Sequence, residues 1–237
     1  MHLELPNKID ENLSEILGII VGDGYVRTRR PSWLSIEVSS QEKQYIDDYV
    51  IPLISKVFSC EPRGRFFNRN GVQNTYGFYI CNKKLTEFLR SFGVAVSHNE
   101  IRVPEAIINN KKLYSSFLRG YFDTDGCLTF EKKHRDNHYY PRLIISSVSS
   151  MLIKDVEYMT DFFNIKGTIH TCFHGKKIVS PIHRYFIRGP NSLEMWNKAI
   201  GFSNSVHYTK YLIWKKLGHC ETNTKLCERV KILKACY

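Results

Sequence analysis

The chain has 237 residues, 43% of them hydrophobic and 13% aromatic, enough for one large domain or two small ones around a real core and incompatible with a disordered chain. Its formal net charge of +11 points to a polyanionic partner. No apolar run reaches the length of a membrane span and the opening residues lack the layout of a signal peptide, so an intracellular protein without membrane contact is expected.

Residues 11–21 are predicted as a helix, entered near Asp10 or Asn12 and ended by Gly22 and Gly24. Residues 25–29 and 33–39 alternate as two strands of a hairpin around Arg30-Pro31-Ser32. Residues 41–58 place Tyr45, Ile46, Tyr49, Val50, Leu53, Ile54 and Val57 at helical spacing, with a kink or break expected at Pro52. A second hairpin, 63–67 with 75–81, turns at Asn68-Arg69-Asn70-Gly71, and residues 83–92 form an amphipathic helix stopped by Gly93. After a connection through residues 99–110 the order repeats: helix 113–123, strands 127–132 and 142–148, helix 150–163, strands 168–173 and 182–188, helix 192–200. Leu85, Phe88 and Gly93 find counterparts at a constant offset in Leu193, Trp196 and Gly201, and Val38-Ser39-Ser40 matches Val148-Ser149-Ser150 ahead of the second helices. This internal duplication divides the chain into residues 1–104 and 105–237, the latter extended by one or two tail helices from residue 209. The seven cysteines are odd in number and contain no Cys-x-x-Cys pair, which speaks against a zinc ribbon or a closed disulfide framework; His219, Cys220, Cys227 and Cys236 are better read as incidental.

Two stretches of this repeat say nearly the same thing: Ile16-Leu17-Gly18-Ile19-Ile20-Val21-Gly22-Asp23-Gly24 and Leu118-Arg119-Gly120-Tyr121-Phe122-Asp123-Thr124-Asp125-Gly126. Gly18 and Gly22 fall one helical turn apart on one face, as do Gly120 and Thr124, and two such faces can pack unusually close. Asp23 and Asp125 would then lie side by side. Adjacent carboxylates repel unless a proton or cation sits between them, so the pair asks for a hard divalent metal. Asp123 has Val21 as its counterpart and is expected to be an N-terminal-facing or interdomain polar residue, not a metal ligand.

Basic residues cluster on the predicted strands and their tips: Arg27, Arg29 and Arg30; Arg63, Arg65 and Arg69; Lys132, Lys133 and Arg135; Lys176, Lys177, Arg184 and Arg188. Strand periodicity puts Arg27 with Arg29, and Arg63 with Arg65, on single faces that can enter a major groove. Thr129, Glu131 and Lys133 occupy the matching, less basic face of the second repeat, so the target should be asymmetric.

With its two motif copies at 16–24 and 118–126 and the repeated order of elements up to about Trp214, the chain resembles the two-motif, single-chain LAGLIDADG homing endonucleases. The resemblance implies an α+β fold of tandem αββαββα units, whose two four-stranded antiparallel sheets form a saddle over DNA. It implies a monomer that binds a long double-stranded DNA site and hydrolyses one phosphodiester in each strand during intron homing, in the cytoplasm of a prokaryote or archaeon or in an organelle of a eukaryote. Asp23 and Asp125 would hold the catalytic Mg²⁺, or Mn²⁺, with Ca²⁺ a non-catalytic substitute, and Gly22 and Thr124 join that metal set. Family members place a basic residue after the last short helix of each half; here His98 and His207 stand where lysine is usual, with Lys43 and Lys210 as alternatives. The polar position before the second helix falls on Ser40 or Gln41 and on Ser150. The alternatives are an RNA-binding intron maturase and a DNA-binding protein of the same fold that no longer cuts; the presence of both motif acids speaks for cleavage.

Overall fold

The computed structural model describes residues 3–69, 72–173 and 181–235; the side chains of residues 69, 72 and 73 lie outside that description, as do Lys176, Lys177 and Cys236. Helix α1 (Glu11–Asp23) starts where the Asp10 carboxylate accepts a hydrogen bond from the Leu13 amide at 2.9 Å. Residues 13–21 are all buried, so this helix is central rather than amphipathic at a surface. Strands β1 (Gly24–Arg27) and β2 (Trp33–Ser39) follow, then a 3₁₀ turn (Ser40–Glu42) and a helical stretch made of α2 (Lys43–Tyr45), a π-helical turn (Ile46–Val50) and α3 (Ile51–Phe58). Pro52 does not break that stretch. It sits in the first turn of α3, and the wider π turn just before it accommodates a residue that has no N–H and crowds the preceding turn.

Strands β3 (Arg65–Arg69) and β4 (Val72–Ile80) and helix α4 (Lys83–Ser91), capped by Asn82, complete the first repeat. A short α5 (Glu105–Ile108) leads to the second: α6 (Tyr114–Asp125), β5 (Gly126–Glu131), β6 (Tyr140–Ser147), α7 (Ser150–Phe162), β7 (Gly167–Cys172), β8 (Ile182–Arg188) and α8 (Pro190–Ala199). Each repeat builds one four-stranded antiparallel sheet, in the orders β1-β2-β4-β3 and β5-β6-β8-β7. The first residue after each motif acid starts its ladder in the same way, Gly24 opposite Ile36 and Gly126 opposite Ile145. Ser39 and Ser149 cap the helical segments that follow, and Gly93 and Gly201 end α4 and α8 with φ of +76° and +78°.

The tail is two helices, α9 (Ser205–Leu217) and α10 (Leu226–Ala235). It is tied to the β5–β6 connection, where the Trp214 indole donates to the Tyr139 carbonyl at 2.8 Å. No helix among the described residues is long and apolar enough to cross a membrane.

Candidate active site and nucleic-acid interface

Helices α1 and α6 meet through the small residues of the two motifs. A Cβ added at Gly18 would stand 2.3 Å from the Phe117 carbonyl oxygen, one at Gly120 2.2 Å from that of Glu15, and one at Gly22 2.0 Å from Thr124 Oγ1. Backbone therefore touches backbone at Gly18 and Gly120, as the spacing predicts, and Gly22 makes room for the Thr124 side chain. About two turns up from the acids, the buried Glu15 carboxylate binds the Arg119 guanidinium across this interface, with Arg119 Nε donating to Oε1 at 2.9 Å. The Tyr49 hydroxyl donates to the same oxygen at 2.7 Å, and Arg119 Nη1 donates to the Ile200 carbonyl at 3.1 Å.

At the other end of the interface, Asp23 and Asp125 close the two helices, and neither carboxylate has a hydrogen bond or ion pair among the described residues. Crowding by surrounding protein, then the charges of Asp125 and Glu42, push Asp23 up to about 7; poor solvation likewise raises Asp125 to about 6, with the nearby His98 opposing the shift. Asp23 lines a cleft of about 540 Å³ together with Ser40, Gln41, Glu42 and Thr124. Paired oxygen ligands with raised pKa values and no ion-pair partner among the described residues fit a hard divalent ion, which needs only one or two carboxylates when phosphate and water complete its shell. Among the described residues no group of three or more His, Cys, Asp or Glu could hold a metal alone. Thr124 Oγ1 donates within its own helix, to the Gly120 and Tyr121 carbonyls at 3.0 and 3.1 Å.

The two histidines separate. His98 is exposed, and its charge acts on Asp125. His207 does not face the cleft: it is 5% exposed on α9, packed against Phe122 and Phe202, and burial drives it down to about 3, helped by Lys210 and Arg229. Its place after Gly201 falls inside a tail helix that covers the core, which spacing alone did not show. Lys43 pairs with Asp47 and lies 4.7 Å from the Tyr76 ring centroid. Lys210 donates to the Leu128 carbonyl at 2.9 Å; burial raises the Glu42 carboxyl, and the hydrogen bond from Asn204 and the charge of Lys210 oppose that shift.

Glu42 is the site residue that the sequence reading missed. Asn204 Nδ2 donates to Glu42 Oε1 at 2.6 Å and to the Asp123 carbonyl at 2.8 Å, and Asp123 Oδ2 accepts from the amides of Ser203 and Asn204 at 2.6 and 3.0 Å. Asp123 thus anchors the loop ahead of α9, whose Ser203 and Asn204 side chains reach Glu15 and Glu42 of the first repeat.

Strand pairing assigns the faces of both sheets. Arg27 opposes Trp33, Ser35 opposes Tyr79, and Arg65 opposes Gly77 with Phe67 on the same face. The Arg65 guanidinium lies 4.7 Å from the Phe67 ring centroid and 4.5 Å from that of Tyr79, and Arg27 lies 4.5 Å from Trp33. Arg63 precedes the strand and is exposed, Arg29 and Arg30 are exposed in the β1–β2 connection, and the Arg69 side chain is outside the described residues. In the second sheet Thr129, Arg142 and Arg188 align, as do Ser146 and Arg184. Glu131 pairs with Arg142, Arg188 donates to Thr168 at 2.9 Å, and Lys133, in the turn after β5, lies over Tyr140. Arg142 was not singled out, although its alternation with Leu143 and Ile145 marks the outward face. Ser40 opens the 3₁₀ turn and Ser150 opens α7.

Residues 112–201 match the LAGLIDADG-like domain family. A 205-residue stretch is 26% identical to the isomerizing glutamine–fructose-6-phosphate aminotransferase of Methanocaldococcus jannaschii, covering 85% of this chain and 17% of that protein. The NrdEB subunit alpha of ribonucleoside-diphosphate reductase from Bacillus subtilis is 27% identical, over 88% of this chain and 20% of its own length. The chain therefore spans about a fifth of these relatives. The homing endonuclease I-DmoI in complex with DNA and Mn superposes with a TM-score of 0.55 at 16% identity, over 81% of this chain and 96% of the other. I-WcaI bound to its DNA recognition sequence gives 0.55 at 17% identity, over 86% and 85%. The N-terminal LAGLIDADG domain of DUF199/WhiA gives 0.51 at 16% identity, over 81% of each. A LAGLIDADG-like domain is thus matched around the second motif, and across both sheets the chain has the fold seen in LAGLIDADG homing endonucleases.

Proposed function

We propose that the protein is a site-specific, divalent-metal-dependent DNA endonuclease that cuts one phosphodiester in each strand of a long asymmetric duplex. The observation that carries this reading is the pair of unpaired, pKa-raised carboxylates of Asp23 and Asp125 at the ends of two touching helices, between two arginine-bearing sheets. The fold alone does not entail cleavage. Bound Mg²⁺ or Mn²⁺ would neutralise phosphate charge and lower the pKa of water; Ca²⁺ would bind without supporting turnover.

The chain's own residues have distinct roles. Asp23 and Asp125 provide the negative charge at the pseudo-twofold axis, one acid from each repeat, so a monomer suffices. Glu42, held by Asn204 and near Lys210, orients the polar turn beside Asp23. His98, whose charge acts on Asp125, serves as the basic side chain that assists at a proton or phosphate there. Arg27, Arg29, Arg30, Arg63, Arg65 and Arg69, with Thr129, Glu131, Lys133, Arg184, Arg188, Ser40 and Ser150, supply the DNA contacts.

The aminotransferase and reductase relatives share no chemistry with each other, and the common segment is a small part of each. What recurs is a portable module, in keeping with a homing role, intron homing included. The test is selection from a randomised duplex library with Mg²⁺, followed by Asp23→Asn and Asp125→Asn. Cleavage of a recovered site should vanish in either variant while binding persists; cleavage that survives the double substitution overturns the mechanism.

A further inference from the structure

The tail has no counterpart in the first repeat, yet α10 ends up beside it. A cleft of about 690 Å³ is lined by Gln41 and Gln44 of the first repeat and by Lys225, Lys231 and Lys234 of the tail, together with Leu226, Cys227 and Val230 of the tail. Gln41 also lines the cleft that holds Asp23, so the two clefts adjoin. No acidic side chain lines the tail cleft, and none of the three lysines has an ion-pair partner among the described residues. Helix α10, which carries Lys231 and Lys234 and follows directly on Lys225, is fixed by Arg229, only 3% exposed, whose Nε donates to Thr209 Oγ1 at 2.9 Å and whose Nη2 donates to the Val206 carbonyl at 3.2 Å. A buried guanidinium committed to pinning one helix leaves the neighbouring lysines displayed at a fixed place.

We propose that this cleft binds the phosphodiester backbone of the duplex just beyond the central cleft, on one side only. The inference rests on the reading that DNA lies over Asp23 and Asp125. Three ammonium groups and two side-chain amides, with no carboxylate among them, match a run of phosphates, and continuity with the acid-bearing cleft supplies the ligand. Because the tail occurs once, the contact falls on the flank nearest Gln41 and has no symmetry mate. It adds a sequence-independent anchor to the contacts of the two sheets.

The test compares the full-length wild type with the Lys225→Gln, Lys231→Gln, Lys234→Gln triple variant, both checked for equal melting temperature. The probe is a duplex carrying the selected site, and affinity is followed against salt. Each lost phosphate contact should lower the slope of log K against log salt by about 0.9, so a fall of roughly 2 to 3 is expected. Ethylation of phosphates on one flank of the cut should interfere with binding by the wild type and not by the variant. An unchanged slope with an unchanged interference pattern overturns this inference alone, whereas a wild type that binds no duplex removes the functional reading as well.

Discussion

Asp23 and Asp125 carry a conflict that a single side chain can report. A carboxyl raised to about 7 in the folded chain from 3.8 binds its proton more tightly than the unfolded state does, so stability falls as pH rises from about 4 through 7. Asp23→Asn should therefore raise the metal-free melting temperature at pH 7.5 by a few degrees, about 1 kcal/mol or more, and have no effect below pH 4. Thermal melts in a chelator across that range check it; a destabilised Asn variant at pH 7.5 would show that the carboxylate is not penalised. His207 runs the other way. Its folded pKa of about 3 lies below the ordinary 6.5, so between those values the unfolded state binds the extra proton and stability drops on acidification, by up to 1.4 kcal/mol per pH unit. His207→Gln should flatten that dependence by one proton, measured from denaturant midpoints between pH 4 and 6.5, and should leave cleavage intact because the ring faces Phe122 and Phe202.

Among the elements, the α1–α6 interface carries the most consequence, because a shift there moves both acids. Gly18→Ala places a methyl group 2.3 Å from the Phe117 carbonyl oxygen and 2.9 Å from the Tyr121 nitrogen, both backbone atoms that cannot rotate away. The helices must separate, at a cost of roughly 2 to 4 kcal/mol and with loss of cleavage. Gly93→Ala is the matched control: φ is +76° with nothing within 4 Å, so only local strain of about 1 kcal/mol is expected and cleavage survives. Urea denaturation of both variants checks the pair, and equal losses would mean that the close approach is not tight. The glycines of this interface were readable in the sequence because helical spacing is a local rule. The Glu15–Arg119 pair that also joins these helices was not, since the two charges lie 104 positions apart and only the packed helices bring them together. Glu42 escaped for the same reason, as its partner Asn204 is 162 residues away. Arg63 was misplaced by a strand that starts two residues later than alternation suggested, and His207 by a tail helix that repeats nothing in the first half.

Across the whole molecule, duplication supplies two sheets of the same topology, and divergence has given them different outward faces. In the first, Arg65 is held between Phe67 and Tyr79 beside a cleft lined by Pro31, Trp33 and Ser35. In the second, Arg142 is neutralised by Glu131 and Arg188 is bonded to Thr168, both near Phe186. A guanidinium stacked between two rings has lost little further entropy by the time it meets a base, and its planar fork suits the two acceptors on a guanine edge. Lysine keeps the charge and loses both the stack and the fork. Arg65→Lys should therefore relax discrimination at one base pair of the half-site over the first sheet by about 1 to 3 kcal/mol, leaving the other half-site and the salt dependence unchanged. Binding of every single-base substitution along the selected site by wild type and variant checks this. A loss spread evenly over all positions would mean that Arg65 touches a phosphate, and the first sheet would then read its half-site through the aromatic groove beside it.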